Sequence, residues 1–313
     1  MFPGVIKNLS EIEGNSVSIT TGSFDGIHKG HSSLLKKLGS VSANNNTTPL
    51  VITFEPHPRK VIDKDYDLKL LTTKDEKSTR ISSQLPAYIY YMKFTDDLAK
   101  TDSSDFYREL IFNKVKVRAV VAGQNHSFGH DRKGDGSLLK SLCDENGISL
   151  YFAEPVMYKN RRISSTRIRN SISEGLIEES NLMLGYTYSL SGRVVRGTGI
   201  GSKIGFPTAN IDLSGSLKAL PLSGVYITET DLDGSIYQGI TNVGRKPTAG
   251  DHDLNLENFI FGLDSDIYGS IIYVNFLKRL RSEKKFSSLD ELAQEISTDR
   301  IKALEYFASG VSY

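Results

Sequence analysis

Cysteine is nearly absent from this chain of 313 residues, where Cys143 stands alone. An internal disulfide is therefore impossible, and a structural zinc site built on cysteines is excluded. The expectation is a reducing compartment, the cytoplasm. Charge of either sign is also not in excess: 38 Lys and Arg against 37 Asp and Glu leave a formal net charge of +1. That balance argues against a general nucleic-acid binder, which displays a strongly basic face to neutralise phosphates. Long apolar runs are missing too. No stretch approaches the roughly 20 apolar residues of a membrane-spanning helix, and segment 1–15 has neither a basic leader nor an apolar run. No nucleic-acid and no membrane partner is expected. Internal repeats and long low-complexity segments are lacking, and residues 44–48 read as a polar loop.

What is present describes a globular protein, with 38% apolar and 24% charged residues. The length favours two domains. Residues 17–21 alternate toward a glycine turn at 22–26, followed by a helix through Leu34, Leu35 and Leu38. The pattern returns as a strand at 50–54, a helix opened by the capping box Thr73 to Glu76, and a strand at 118–123. A helix near 137–145 and a strand at 149–156 follow. Alternating strands and helices predict a doubly wound, Rossmann-like parallel sheet with helices on both faces. The texture changes near Gly185, so the expected domains are 1–185 and 186–313. Short alternating runs at 189–195, 225–230, 236–241, 256–263 and 271–277, with a hairpin signal at Asp233-Gly234, predict a closed antiparallel barrel. A C-terminal helix starts at the capping box Ser288 to Glu291, its apolar stripe read as Leu289, Leu292, Ile296, Leu304 and Phe307.

Three segments carry chemistry. Gly22-Ser23-Phe24-Asp25-Gly26-Ile27-His28-Lys29-Gly30-His31 ends a strand and opens a helix, where free backbone N–H groups and the helix dipole attract phosphate. His28 and His31 share one helix face, where imidazoles stabilise charge growing on phosphorus, and Gly30 leaves room for a ligand. The bland alternative is a pair of surface histidines near a turn. Arg161-Arg162-Ile163-Ser164-Ser165-Thr166-Arg167-Ile168-Arg169 leads from a loop into a helix with hydroxyls and guanidiniums suited to phosphate oxygens. By itself it also reads as a capped helix with a solvated basic face. In the third, Gly197, Gly199, Gly201 and Gly205 flank Ser202 and Lys203 in a loop whose N–H groups can approach anionic oxygens. It lacks the Walker A spacing. Phe206-Pro207-Thr208-Ala209-Asn210 continues it, placing Thr208 and Asn210 two residues apart in an extended segment as oxygen donors to Mg²⁺.

The HxGH string, Glu55-Pro56-His57-Pro58 after a strand, the segment from Asn125 to Gly129 and the run from Ser164 to Arg169, in this order, resemble the bacterial bifunctional riboflavin kinase/FAD synthetase family. The resemblance implies that the first half adenylates FMN with ATP and Mg²⁺ to give FAD and pyrophosphate, and that the barrel phosphorylates riboflavin with ATP to give FMN. His28 and His31 would then stabilise the α-phosphate in transfer, Asn125 and the loop from Ser164 to Thr166 would contact phosphates, and Phe128 would stack on flavin. His57 reads as structural. In the barrel, Glu257 would accept the proton of the attacking ribityl hydroxyl. The strings Asn242-Val243-Gly244-Arg245-Lys246-Pro247-Thr248 and Arg281-Ser282-Glu283-Lys284-Lys285-Phe286 extend the likeness, with Arg281 and Glu283 in positioning roles. Two positions depart from the family: Ser202 stands where arginine is frequent and Phe259 where histidine is common. An alternative is therefore an FMN adenylyltransferase with a weak or inactive kinase barrel. A flavin carrier or regulator without turnover is a third reading, against which intact His28, His31, Thr208, Asn210 and Glu257 argue. The implied partners are the small molecules ATP, riboflavin and FMN, and the chain is expected to act as a monomer or weak homo-oligomer.

Overall fold

A computed structural model describes residues 4–245 and 254–310, and the chain divides into two compact units, Met1–Ser165 and Thr166–Tyr313. In the first unit, strands β1 (Val5–Ile6), β2 (Ser16–Thr21), β3 (Thr48–Glu55), β4 (Tyr88–Lys93), β5 (Lys116–Gly123) and β6 (Ser149–Ala153) form a parallel sheet ordered β1-β4-β3-β2-β5-β6. Helices α1 (Lys29–Asn44), α2 (Pro58–Ile62), α3 (Lys74–Gln84), α4 (Asp96–Ala99), α5 (Ser103–Tyr107) and α6 (Gly136–Glu145) connect the strands.

Side chains alternate across a strand, and both sets are apolar here because helices cover both faces. Ile19, Leu50, Ile52, Val120 and Ala122 join one core with Phe106, Leu139 and Leu142. Val51, Ala119 and Val121 join another with Leu34, Leu35 and Leu38 of α1. From β2 the chain winds to β3 and β4 on one side and resumes with β5 and β6 on the other. Such a reversal leaves a crevice beyond the carboxyl ends of β2 and β5. The capping box at Thr73 forms as read, with Glu76 N donating to Thr73 Oγ1 at 3.2 Å and Thr73 N to Glu76 Oε2 at 2.7 Å. The sequence reading passes over β4, although its run of Tyr88, Ile89, Tyr90 and Tyr91 carries an aromatic strand signal.

The first unit continues with a small hairpin, β7 (Met157–Tyr158) and β8 (Arg161–Arg162), before α7 (Ser165–Ser173) and α8 (Ile177–Leu184). In the second unit, α8 packs on the barrel: Asn181 Nδ2 donates to Phe276 O and Asn181 Oδ1 accepts from Tyr188 N, both at 2.8 Å. The barrel strands are β9 (Ser189–Val195), β10 (Ala209–Asp212), β11 (Gly224–Leu232), β12 (Ser235–Arg245), β13 (Leu254–Ile260) and β14 (Ile271–Arg281). They close antiparallel in the order β10-β13-β12-β11-β14-β9. Between β9 and β10 lies the single turn α9 (Ile200–Lys203). The β11–β12 connection is the two-residue turn read from the sequence, with φ +52° at Asp233 and +84° at Gly234, the positive pair that a tight hairpin requires.

Inside the barrel, Leu256, Val243, Tyr226, Val274 and Phe276 are buried, and so are Thr228, Thr230, Thr241 and Asn258. The polar four satisfy one another: Asn258 Nδ2 donates to Thr230 Oγ1 at 2.6 Å, Thr241 Oγ1 donates to Asn258 Oδ1 at 3.2 Å, and the Thr228 and Thr241 hydroxyls lie 2.7 Å apart. Outside, α10 (Leu289–Ala308) lays Ile296, Ala303, Tyr306 and Phe307 on Val225, Ile227, Ile240 and Leu277. Its stripe differs from the reading, since Leu289 and Leu304 are exposed. At about 100° per residue, Leu304 falls roughly 80° away from Ile296 and is turned out of the face that carries Ala303 and Phe307. An ion pair of Asp299 with Arg281 anchors that rotation.

Candidate functional site

The loop after β2 is held in a conformation that its residues do not prefer. Phe24 and Ile27 have φ of +49° and +33°, a region unusual for bulky side chains, and both are buried. Hydrogen bonds hold the loop there. Asp25, 1% exposed, accepts from Leu71 N at 2.9 Å, Thr72 N at 3.1 Å and Thr72 Oγ1 at 3.4 Å, all on Oδ1. The Ser23 carbonyl accepts from Thr53 Oγ1 at 3.1 Å and Lys77 Nζ at 2.9 Å, Gly22 N donates to Ile52 O at 3.1 Å, and Ser165 Oγ donates to Asp25 O at 2.8 Å.

His28 is the N-cap of α1, and its Nδ1 accepts from His31 N at 3.3 Å, which puts the proton of the neutral ring on Nε2. The two imidazoles stack, with centroids 3.7 Å apart and planes at 13°. Gly30 permits this: a Cβ there would already lie 3.1 Å from the His28 ring. Burial, followed by the charges of His28, Lys77 and Arg162, holds the His31 imidazole well below its ordinary pKa, so it is neutral near pH 7. Its Nδ1 is buried with no hydrogen-bond partner among the described residues. A buried polar atom left in that state at a helix N-terminus is suited to a ligand.

Beyond β5, Asn125 is exposed, and His126 Nε2 lies 3.3 Å from Thr21 Oγ1 and 3.1 Å from the Tyr107 hydroxyl. Phe128 is in the core at 7% exposure, its ring stacked at 5.4 Å on His126 and edge-on to Tyr107 at 4.8 Å. Arg161 is exposed at the tip strand, and a Cβ at Gly123 would lie 3.8 Å from the Arg162 guanidinium, which therefore reaches the end of β5. Ser164 is half-buried. Thr166 and Arg169 belong to the second unit, where Arg169 Nη2 donates to Thr166 Oγ1 at 3.3 Å. His57 caps α2, its Nδ1 accepting from Arg59 N at 3.2 Å.

The barrel's cluster is arranged by strand register. Asn210 on β10 pairs with Glu257 on β13, which pairs with Asn242 on β12. Directly opposed residues project to the same side of a sheet, so these three stand in a row on the outer face. Asn255 Nδ2 donates to Glu257 Oε1 at 2.6 Å. The glycine loop closes on this row. A Cβ at Gly197 would overlap the Asn210 amide, and one at Gly201 would overlap the Phe206 carbonyl and lie 3.2 Å from Thr208 Oγ1. Gly199 and Gly205 take φ of +70° and +85°, and Lys203 is exposed on α9. Phe259, two residues past Glu257 on the same face, meets the Phe206 ring edge-on at 5.5 Å. Glu283 lies over Gly244, where a Cβ would stand 2.5 Å from Oε1 and 3.2 Å from Asn242 Nδ2. Arg281, 14% exposed, donates from Nε and Nη2 to Asp299, itself 1% exposed, with Nη2 at 2.7 Å. Lys246, Pro247 and Thr248 lie outside the described residues.

Family models match both units: FAD synthetase over residues 10–167 and riboflavin kinase over residues 184–307. A bifunctional riboflavin kinase/FMN adenylyltransferase of Buchnera aphidicola is 35% identical over 305 residues, covering 96% of each chain. The protein of the same name from Escherichia coli K12 is 32% identical over 303 residues, covering 96% of each. This chain belongs to that bifunctional family. A Bacillus subtilis relative in the bifunctional riboflavin kinase/FMN adenylyltransferase family is 31% identical over 307 residues, covering 96% of this chain and 95% of its own. The family's architecture is matched by a Streptococcus pneumoniae crystal structure described as a macrolide-efflux protein, with a TM-score of 0.86 and 28% identity, covering 96% of this chain and 98% of that one. Among the described residues here, no helix is long and apolar enough to cross a membrane.

Several residues of these clusters were not singled out by sequence reasoning. Lys77 sits in a capped helix where nothing local marks it as buried. Tyr107, Asn258 and Asp299 gain their partners only through contacts distant in sequence. The latch formed by Asp25 depends on residues 71–72, which carry no motif.

Proposed function

We propose that this chain phosphorylates riboflavin to FMN in its barrel and adenylates FMN to FAD in its parallel-sheet unit, with the functional boundary at residues 185 and 186. The observation that carries this reading is that one chain holds both constellations: a stacked imidazole pair with an orphaned nitrogen at a helix N-terminus, and a carboxylate in register between two carboxamides beside a glycine loop.

In adenylyl transfer, an FMN phosphate oxygen attacks the α-phosphorus of ATP. A new P–O bond forms as the bond to the β-phosphate oxygen breaks, and pyrophosphate leaves. His28, protonated on Nε2 when neutral, donates to the α-phosphate oxygens as charge accumulates, and His31 assists from the stacked position. Backbone N–H groups of Ser23, Phe24 and the α1 N-terminus hold phosphates, with Gly22, Asp25 and Gly30 shaping the loop. Asn125, Arg161, Ser164 and Ser165 complete the nucleotide contacts, and Phe128 forms part of the flavin wall.

In the barrel, the ribityl hydroxyl attacks the γ-phosphorus, Glu257 takes its proton, and ADP leaves. Gly197, Gly199, Gly201, Lys203 and Gly205 cradle the nucleotide phosphates. Thr208 Oγ1 and Asn210 Oδ1 fit Mg²⁺, because they are hard oxygen donors against which the loop closes only where glycine leaves room. Bound there, the ion would neutralise phosphate charge. Asn242, Glu283 and Arg281 position this face, the last through α10. The enzyme is read as cytoplasmic and acting on small molecules, as a monomer or weak homo-oligomer.

Chromatography of riboflavin, FMN and FAD after incubation with MgATP tests the assignment. His28→Ala is expected to remove FAD formation by a factor of about 10²–10³ while FMN still accumulates. Glu257→Ala is expected to do the reverse, by about 10²–10⁴. If both products form at wild-type rates in both variants, the assignment fails.

A further inference from the structure

We propose that Lys77 is a positioning residue of the adenylyl-transfer site: an unneutralised ammonium packed against the loop 22–26 that holds the Ser23 carbonyl and biases the stacked His28 and His31 toward an anionic ligand. The inference rests on the assignment of AMP transfer to this loop.

Helix α3 places Lys77 where a core residue belongs. Its buried residues are Lys77 and Ile81, four apart on one face that packs into the sheet. A core-facing position calls for an apolar side chain, and lysine is almost never fully buried unless paired. Lys77 is 4% exposed, yet among the described residues the one hydrogen bond of its side chain runs from Nζ to Ser23 O at 2.9 Å, with the Tyr91 ring centroid 5.7 Å from Nζ. An ammonium has three donors. No carboxylate stands within ion-pair distance of it among the described residues.

Asp25 and Glu55 are the acidic groups that act on Lys77, and Asp25 Oδ1 is already committed to three donors at Leu71 and Thr72. Burial therefore dominates and pulls the Lys77 ammonium below its ordinary value. Keeping such a group costs stability, which a purely structural plug such as methionine would avoid. The cost is offset when an anion occupies the loop, because a fixed positive charge in a low-dielectric setting is then worth most.

The charge of Lys77 reaches the histidine pair. The groups acting on His31 are His28 from its own helix, Lys77 from α3 and Arg162 from β8, all cationic or potentially so. Lys77 thus helps to keep His31 neutral. In the neutral ring the orphaned Nδ1 can donate to a ligand oxygen in the tautomer that carries its proton there.

The test uses the full chain with Lys77→Met, which keeps an unbranched stem, and Lys77→Arg, which keeps the charge. FMN adenylylation is followed from about pH 5.5 to 9, with riboflavin phosphorylation in the same sample as the folding control. Loss of the cation raises the His31 pKa, so the acidic limb of kcat should move to higher pH in Lys77→Met. Its kcat/KM for ATP should fall at least about tenfold, less than the roughly 10²–10³ lost with a donor that touches the developing charge itself. Lys77→Arg should restore the limb. An unshifted limb in Lys77→Met, whatever the rate, overturns the proposal and leaves Lys77 a packing residue. Should Lys77→Met not fold, an NMR titration of the histidine rings in the wild-type protein decides instead: a His31 midpoint at or above the ordinary 6.5 overturns it. His31→Asn separates the two readings, since unimpaired FAD formation in that variant sinks the site assignment itself rather than the role of Lys77.

Discussion

The two units hold their candidate sites by different means. In the parallel-sheet unit the site is a loop folded into strained backbone, with Phe24 and Ile27 at positive φ and the conformation enforced from behind by Asp25, Thr53 and Lys77. In the barrel the site is a row of side chains set by antiparallel register, Asn210, Glu257 and Asn242 on adjacent strands, against which a glycine loop closes. The first arrangement concentrates its chemistry in a contiguous string and scatters its support; the second scatters the chemistry over three strands and draws its support from regular pairing. Damage should therefore propagate differently in the two.

The largest expected effect lies on the barrel's support. Arg281 reaches across to Asp299 on α10, and removing the carboxylate leaves a guanidinium that is 14% exposed without its nearest counter-charge. Breaking a buried pair from one side costs about 3–5 kcal/mol, although Glu295, 3.2 Å from Arg281 Nε, retains part of the compensation. Asp299→Ala should lower the protection of β11, β14 and α10 amides in hydrogen exchange by that amount and leave α1 and β2 unchanged. Equal loss in both units would break the comparison by showing that they unfold together.

A smaller effect separates the two glycine positions. At Gly197 a Cβ overlaps the Asn210 amide, so alanine must shift a residue assigned to hold the metal, whereas at Gly30 the nearest contact is a histidine ring at 3.1 Å that can tilt. Misplacement on the order of 1 Å costs roughly a hundredfold in rate. Gly197→Ala should reduce FMN formation by about that factor, and Gly30→Ala should reduce FAD formation by less. Steady-state rates of the two products measure both, and a reversed ranking would show that the histidine stack is the less forgiving of the two.

How far each arrangement could be read from sequence follows from the same contrast. The string from Gly22 to His31 is legible because strand, turn and helix start are consecutive, and the doubly wound sheet is legible from alternating periodicities. The barrel's hairpin at Asp233-Gly234 is legible because φ must be positive at both residues. Strand β4 has the composition but no flanking glycine to announce it, and β10 is only four residues long and preceded by Pro207. Lys77 and Asp299 are illegible for a physical reason: a charged residue on a helix reads as a solvated face, and only tertiary packing reveals that it is buried. The Leu304 position fails similarly, since apolar residues of a helix define a stripe only to within one neighbour until a polar anchor such as the Asp299–Arg281 pair fixes the rotation.

The smallest effect concerns acid. The folded first unit holds His31 below its ordinary 6.5, chiefly by burial, while the unfolded chain takes up a proton near that value. Between the two pKa values the unfolded state binds more protons, so stability falls as the pH drops below 6.5, by at most about 1.4 kcal/mol per pH unit, and the loss ends below the folded pKa. Hydrogen exchange at α1 amides should record this slope, with barrel amides as the internal reference, and His31→Phe should flatten it. Were the slope equal in wild type and variant, the strained loop would not be exporting its histidine's burial into stability, and the difference drawn between the two units would lose its electrostatic half.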